Sequence, residues 1–247
     1  MKYYIGCSGF SYKEWKGEFY PEKLPQKKWF EFYSSKFNTL ELNVTFYRFP
    51  TTSMLGGWFD KSPEDFLFAV KAPRLITHYK KFNETEGLLR DFYGTIAEGL
   101  KNKLGPVLFQ LPRQLVYSKE LLDRIIQSLD QHFINAIEFR DPGWWIPEVE
   151  NELEKNKIIF CGISHPTLPD TFMHNTKEVY YRFHGVPKLY YSEYGPAAIQ
   201  TFAESLQSPD VHHAYIYFNN TANGSAIHNA EQLKRLTDDR SQVRTRN

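Results

Sequence analysis

Eight strand-like runs, spaced along the whole chain and mostly followed by helix-like segments, constrain this fold more than any other feature. The runs are 3–10, 39–47, 66–73, 106–112, 135–141, 158–165, 178–185 and 213–220. They are rich in aromatic and β-branched residues, and several alternate apolar with polar side chains, the period of a strand. EVYYRFHG (178–185) is the clearest: Val179, Tyr181 and Phe183 share one face, while Tyr180, Arg182 and His184 share the other. Helix-like segments fall at 26–37, 85–105, 118–131, 147–156, 195–207 and 228–236. In 118–131, Ser118 is a natural N-cap, and Leu121, Leu122, Ile125, Ile126 and Leu129 form a stripe of helical period. Segment 85–105 reads as a helix closed by a cap at Gly105.

Eight strands alternating with helices over 247 residues is the α/β pattern of a (β/α)8 TIM barrel. Two connections are irregular. The second, 48–65, is broken by proline and glycine and holds only a short helix; the sixth, 166–177, predicts no regular helix. The competing fold, an open doubly wound sheet, lacks the glycine-rich phosphate fingerprint after an early strand. With no linker-like stretch or repeat, the reading is one TIM-barrel domain, 1–237, and a polar tail, 238–247, that frays.

Parity then nominates a site. A barrel strand turns alternate residues inward, and polar residues near its C-terminal end belong to the mouth. In the second run Leu40, Leu42, Val44 and Phe46 face the helices; Glu41, Asn43 and Thr45 face inward. The same rule sends Lys71, Gln110, Glu138, Arg140, Arg182, His184, Tyr215, Tyr217 and Asn219 inward, with Ser8 and Ser164 completing the ring. Loops add Arg74 and His78 after the third run, Trp144 and Trp145 after the fifth, and Asn220 after the eighth. The aromatic loop 8–21 is either a packed plug or an apolar ligand wall. The bland alternative for the charges is a set of ion pairs that neutralise one another, although burying so many without a ligand is costly.

Charge and cysteine content narrow the classes. A net charge of +1 argues against a general nucleic-acid footprint but leaves room for a local basic cleft. The two cysteines, Cys7 and Cys161, have no metal-type spacing and imply no disulfide framework. No run approaches the roughly 18 apolar residues of a membrane span, and the N-terminus lacks the core of a signal peptide. The expectation is a soluble cytoplasmic protein with no membrane partner.

The motifs CSGFSYKEWKGEFYP (7–21), ELNVTFYRFP (41–50), FAVKAPRLITH (68–78), FQLP (109–112), EFR (138–140), YRFHG (181–185) and YIYFNNTANGSAIHNA (215–230) resemble, in order, those of the YecE-like family, domain of unknown function 72. The resemblance spans nearly the whole chain. It implies a single-domain barrel of the triosephosphate-isomerase type and brings no established reaction. Two positions depart from the pattern: Arg113 replaces a second proline after the LP, and Asp141-Pro142-Gly143-Trp144 replaces a common His-Pro-Ser-Trp.

The first functional expectation is an enzyme, a hydrolase, isomerase or lyase, acting by acid/base chemistry on a small anionic substrate, phosphorylated ones included. Arg140, Arg182 and Lys71 would bind the anion, since arginine forks match phosphate and carboxylate oxygens. Glu138 or Glu41 would be the base and His184 the acid. Asn43, Arg74, His78, Gln110, Trp144, Asn219 and Asn220 complete the substrate-binding set, and no cofactor is expected. A second reading is a metal-dependent barrel nuclease or isomerase, with a divalent ion among Glu41, Glu138, His184, His78, His165 and Asp141; no HExxH-type spacing supports it, and the interleaved cations oppose it. A third is a non-catalytic module for a nucleotide or single-stranded nucleic acid.

Overall fold

Strand-forming sequence appears where the alternation is strictest. The computed structural model describes residues 1–206 and 210–244, the last six by backbone alone. Its strands are β1 (Lys2–Cys7), β2 (Thr39–Leu42), β3 (Leu67–Lys71), β4 (Leu104–Gln110), β5 (Asn135–Glu138), β6 (Ile159–Phe160), β7 (Gly162–Ser164), β8 (Glu178–Phe183) and β9 (His213–Phe218). They form two sheets, ordered β1-β9-β8-β7 and β2-β3-β4-β5-β6, and every paired neighbour is parallel. The α-helices are α1 (Trp29–Ser34), α2 (Val44–Tyr47), α3 (Thr52–Phe59), α4 (Glu86–Leu100), α5 (Lys119–Ser128), α6 (Pro147–Lys155), α7 (Pro196–Ser205) and α8 (Ser225–Arg244). The fold is mixed α/β with parallel sheets.

The sheets meet at two seams. At one, the sixth strand-like run splits: β6 pairs with β5 and β7 with β8, with Cys161 between them, its N–H donating to Ile137 O at 2.8 Å. At the other, β1 and β2 touch through a single bridge, Ser8 to Glu41, beside which Gly9 N–H donates to Glu41 O at 3.0 Å. Gly6 permits that approach, because a Cβ there would lie 2.3 Å from Thr39 O. The expected single eight-strand ladder is therefore two ladders of four and five strands.

Alternate residues divide into two apolar layers. Tyr4, Ala69, Leu108, Ala136, Ile159, Cys161, Tyr180, Tyr215 and Tyr217 pack on the inner face shared by both sheets. Their opposites, among them Phe68, Val70, Phe109, Ile137, Phe139, Phe183, Ile216 and Phe218, pack in the larger core with helix residues such as Leu121, Leu122 and Ile125 of α5. Ser118 caps α5 by accepting from Leu121 N at 3.2 Å. The strand parity read from sequence thus holds within the regular strands except β7, where the break at Cys161 reverses it for Ser164.

It fails where strands end early. Asn43 has helical backbone angles, and 44–47 is a helical turn. Val44 is consequently exposed rather than turned to the helices. Gly105 lies inside β4 and caps nothing; α4 ends at Leu100 and runs into a 3-10 turn, Lys101–Lys103. The second connection, 48–65, holds only the short α3, and 166–177 has no helix, as expected. Helix α8 runs through much of the expected tail, to Arg244; residues 245–247, and residue 207 of the expected seventh helix, lie outside the described residues. No helix among the described residues is long and apolar enough to cross a membrane.

Candidate functional site

Glu41, Lys71, Gln110, Glu138 and Arg182 stand at or near the C-terminal ends of β2, β3, β4, β5 and β8, and parallel pairing brings those ends to one side. Arg182 is the hub. Its Nη2 lies 2.7 Å from Glu41 Oε1 and its Nη1 lies 2.6 Å from Glu138 Oε2. Glu41 Oε2 accepts from Tyr180 OH at 2.6 Å, and Glu138 Oε1 accepts from Arg140 Nε. All four carboxylate oxygens are thereby engaged. Arg182 is 1% exposed, both terminal nitrogens are taken, and its Nε has no partner. Both terminal nitrogens, which the expected anion-binding role would use, are thus committed to Glu41 and Glu138.

His184 follows β8, and the chain then turns at Gly185 with φ +92°. Its Nε2 lies 3.1 Å from Glu138 Oε2, and its Nδ1 lies 2.9 Å from Asn219 Nδ2. Nε2 also lies 3.2 Å from Arg140 Nη2 and 3.5 Å from Arg182 Nη1, so a carboxylate and two guanidinium donors converge on it. Burial, then Arg140, push the His184 pKa well below its ordinary value, outweighing Glu138. The shift disfavours the imidazolium, so an acid role for His184 would fall to the N–H of the neutral ring. Burial alone would raise the Glu138 pKa; Arg140, Arg182 and His184 overcome this and hold it well below the carboxylate range. A carboxylate so restrained is a poor base.

Lys71 contrasts with this network. Its Nζ sits 4.1 Å above the Phe46 ring and has no hydrogen bond or ion pair among the described residues. Burial first, then Arg182, lower its pKa to about 7, against opposing pulls from Glu138 and Glu41. Near it opens a cavity of about 550 Å³ whose polar walls are His78, Gln110, Arg113, Gln114, Arg140, His165 and Thr167. No carboxylate lines it. The two histidines are held to about pKa 4, by burial first and then by Lys71 and Arg140 at His78, and by Arg140 and Arg113 at His165. His78 is placed by an irregular π-helical turn, Leu75–Lys80, and bonds Thr77 Oγ1 at 2.8 Å.

Other expected site residues lie elsewhere. Trp144 is buried, donates to Leu115 O at 2.8 Å and stacks 4.3 Å from Phe139; Asp141 accepting from Gly143 N, with Pro142 at the turn's start, folds it back into the core. Asn220 is buried, tying Ser192 O and Asn229 Oδ1 at 3.0 Å each. Ser164 points outward to Asp170 at 3.3 Å, because Gly162 and Ser164 share the outer face. Asn43 lines a separate cavity of about 330 Å³ with Phe10, Tyr12, Met54 and Trp58, and its Oδ1 has no partner. Arg74 stacks at the rim between Tyr47 and Tyr79, at 5.6 and 5.5 Å. In the aromatic loop, Trp15 and Tyr20 are plugs, Tyr20 stacking on Trp29 at 4.7 Å, whereas Phe10 and Tyr12 form a wall.

Three residues escaped the sequence reading. Tyr180 shares a face with Arg182, a signal that was present. In sequence Arg113 stands out only as replacing a proline, and His165 only as a candidate metal ligand. Among the described residues, no three His, Cys, Asp or Glu side chains gather as a metal ion would need; Arg182 sits between Glu41 and Glu138, where a cation would have to lie.

A family model described as "Protein of unknown function DUF72" matches residues 4–247. The UPF0759 protein YunF of Bacillus subtilis (strain 168) is 26% identical, over 95% of this chain and 94% of its own. The UPF0759 protein YecE of Escherichia coli (strain K12) is 26% identical over 58% of this chain and 53% of its own. A DUF72 family protein of Thermotoga maritima MSB8 superposes with a TM-score of 0.88 at 28% identity, covering 96% of this chain and 100% of the other. One from Enterococcus faecalis V583 gives 0.80 at 20% identity, covering 96% and 95%, and shares the fold. The chain belongs to the DUF72 family.

Proposed function

We propose that this member of the family is an enzyme that binds a small anionic ligand, phosphorylated or carboxylated, at the C-terminal ends of its strands. The observation that carries the reading is the cavity whose walls include two arginines, two histidines and two amides but no carboxylate. Such walls favour an anion and repel a cation. Arg140 and Arg113 would clamp the anion. An arriving negative charge would raise the His78 and His165 pKa values from about 4 toward neutrality, so binding should take up protons. Lys71, with a pKa near 7, is the better proton carrier at neutral pH, and Glu138 acts through the Arg140 and His184 side chains that it holds.

The same proposal takes the two sheets as arcs of one (β/α)8 barrel. The Ser8–Glu41 bridge, the single residue separating β6 from β7, and an inner apolar layer drawn from both sheets support it.

Titration with inorganic phosphate and a panel of phosphorylated and carboxylated metabolites tests the reading. Arg113→Ala and Arg140→Gln should each weaken binding about tenfold, equivalent to roughly 1.4 kcal/mol. Unchanged affinity in both variants would contradict it. A second reading, single-stranded nucleic acid laid across the same face, draws on exposed Tyr47, Tyr79, Tyr190 and Tyr191 beside Arg74 and Lys188. Steep salt dependence of oligonucleotide binding, lost in Tyr47→Ala and Tyr79→Ala, would favour it.

A further inference from the structure

The cations at these strand ends divide by what they touch. Arg182 and Arg140 hold Glu41 and Glu138 directly. Lys71 feels both carboxylates electrostatically yet pairs with neither, because Arg182, Arg140, Tyr180 and His184 already occupy their oxygens. Its amine rests instead on Phe46, whose ring lies 5.0 Å edge-on from His78, a wall of the cavity. A structural lysine would be expected to find an acceptor; this one has none among the described residues, and its amine rests on an aromatic ring near the cavity.

We propose that Lys71 is a nucleophile that forms an imine with the carbonyl carbon of a small aldehyde or ketone bearing a phosphate or carboxylate. The choice of an anionic substrate rests on the reading above; the nucleophile does not. Desolvation and neighbouring cations are the means by which proteins make a lysine reactive. The charged and titratable groups facing it are Arg182, Glu138, Glu41 and Arg140, with His78 across the Phe46 ring, and together with burial they leave a large fraction of neutral amine at pH 7.

The step balances without a further reagent. The Nζ lone pair attacks the carbonyl carbon, a C–N bond forms, and the carbonyl π pair moves to oxygen. A proton passes from nitrogen to that oxygen, giving a carbinolamine. A second proton on the hydroxyl lets it leave as water as the nitrogen lone pair closes the C=N bond. One amine, one carbonyl and one proton become one iminium and one water. The iminium is an electron sink, suited to bond cleavage or proton removal at the adjacent carbon.

The test uses the full chain with dihydroxyacetone phosphate or pyruvate as probe and sodium borohydride as trap, read by intact mass and peptide mapping. The expected result is one reduced adduct on Lys71, formed at least tenfold faster than on any other lysine, with a rate rising through pH 7. Lys71→Met and Lys71→Arg should abolish it, and inorganic phosphate should slow it. Mapping of the wild-type adduct decides the matter even if a variant fails to fold. No adduct, or adducts spread evenly over surface lysines, overturns the imine. Phosphate titration of the same sample separates the two ideas: binding without an adduct leaves the anion site standing, and neither result leaves nothing of either.

Discussion

Two halves of one mouth use the same residue types to opposite ends. Around β5 and β8, Glu41, Glu138, Arg140, Arg182, Tyr180 and His184 satisfy one another in a buried network. Beside it, Arg113, His78 and His165 line a cavity with no carboxylate among its described walls, and Lys71, at the end of β3, has no ion-pair partner among the described residues. The lesson is that charge at a strand end does not by itself mark a ligand site. A charge with both terminal nitrogens taken, as in Arg182, holds the fold; one that still reaches the cavity wall, as in Arg113 and Arg140, is what a ligand can complete.

The comparison can be broken most forcefully at Arg182. Arg182→Leu leaves two carboxylates buried without their cation and should cost about 3–5 kcal/mol of unfolding free energy by urea titration at pH 7. A loss below about 1 kcal/mol would mean the network is not structural.

Lys71→Met should act in the reverse direction, raising stability at pH 7 by roughly 1–3 kcal/mol. The folded pKa, about 7, lies below that of an unfolded lysine, about 10.4. Between the two the unfolded chain binds the extra proton, so wild-type stability rises with pH through that window. The advantage of the variant should shrink as pH approaches 10. A constant advantage would show that Lys71 does not titrate in that window.

A smaller effect belongs to His78 and His165. Their folded pKa values of about 4 lie below the roughly 6.5 of an unfolded histidine. Stability should therefore fall as pH drops from about 6.5 toward 4, and His78→Asn with His165→Asn should flatten that slope. Buried His184, shifted in the same direction, should keep part of the slope in the double variant. Saturating phosphate should also flatten the wild-type slope if the anion restores the two histidines.

Much of this was legible in the chain because parity is local. Alternation in 178–185 assigns Arg182 and His184 to one face, and the same rule finds Glu41, Lys71, Glu138 and Arg140. What sequence could not give is pairing across strands. Nothing local says that Arg182 will be consumed by Glu41 from 141 residues away, or that Lys71 will be left out. Turn chemistry hid the rest. A helical residue at Asn43 ended β2 at Leu42, before Thr45, and the Asp141-Pro142 turn buried Trp144, which its place in the loop after the fifth run had put at the mouth.

The partition between paired and unpaired charge is tested most directly by titrating the lysine side chains in the folded protein. With ¹⁵Nζ-labelled lysine followed by NMR, one resonance should titrate near pH 7, vanish in Lys71→Met and shift on addition of phosphate. If every lysine titrates above about pH 9, near the value of a solvated amine, Lys71 has found a partner or water, and the distinction drawn between the two halves of the mouth is wrong.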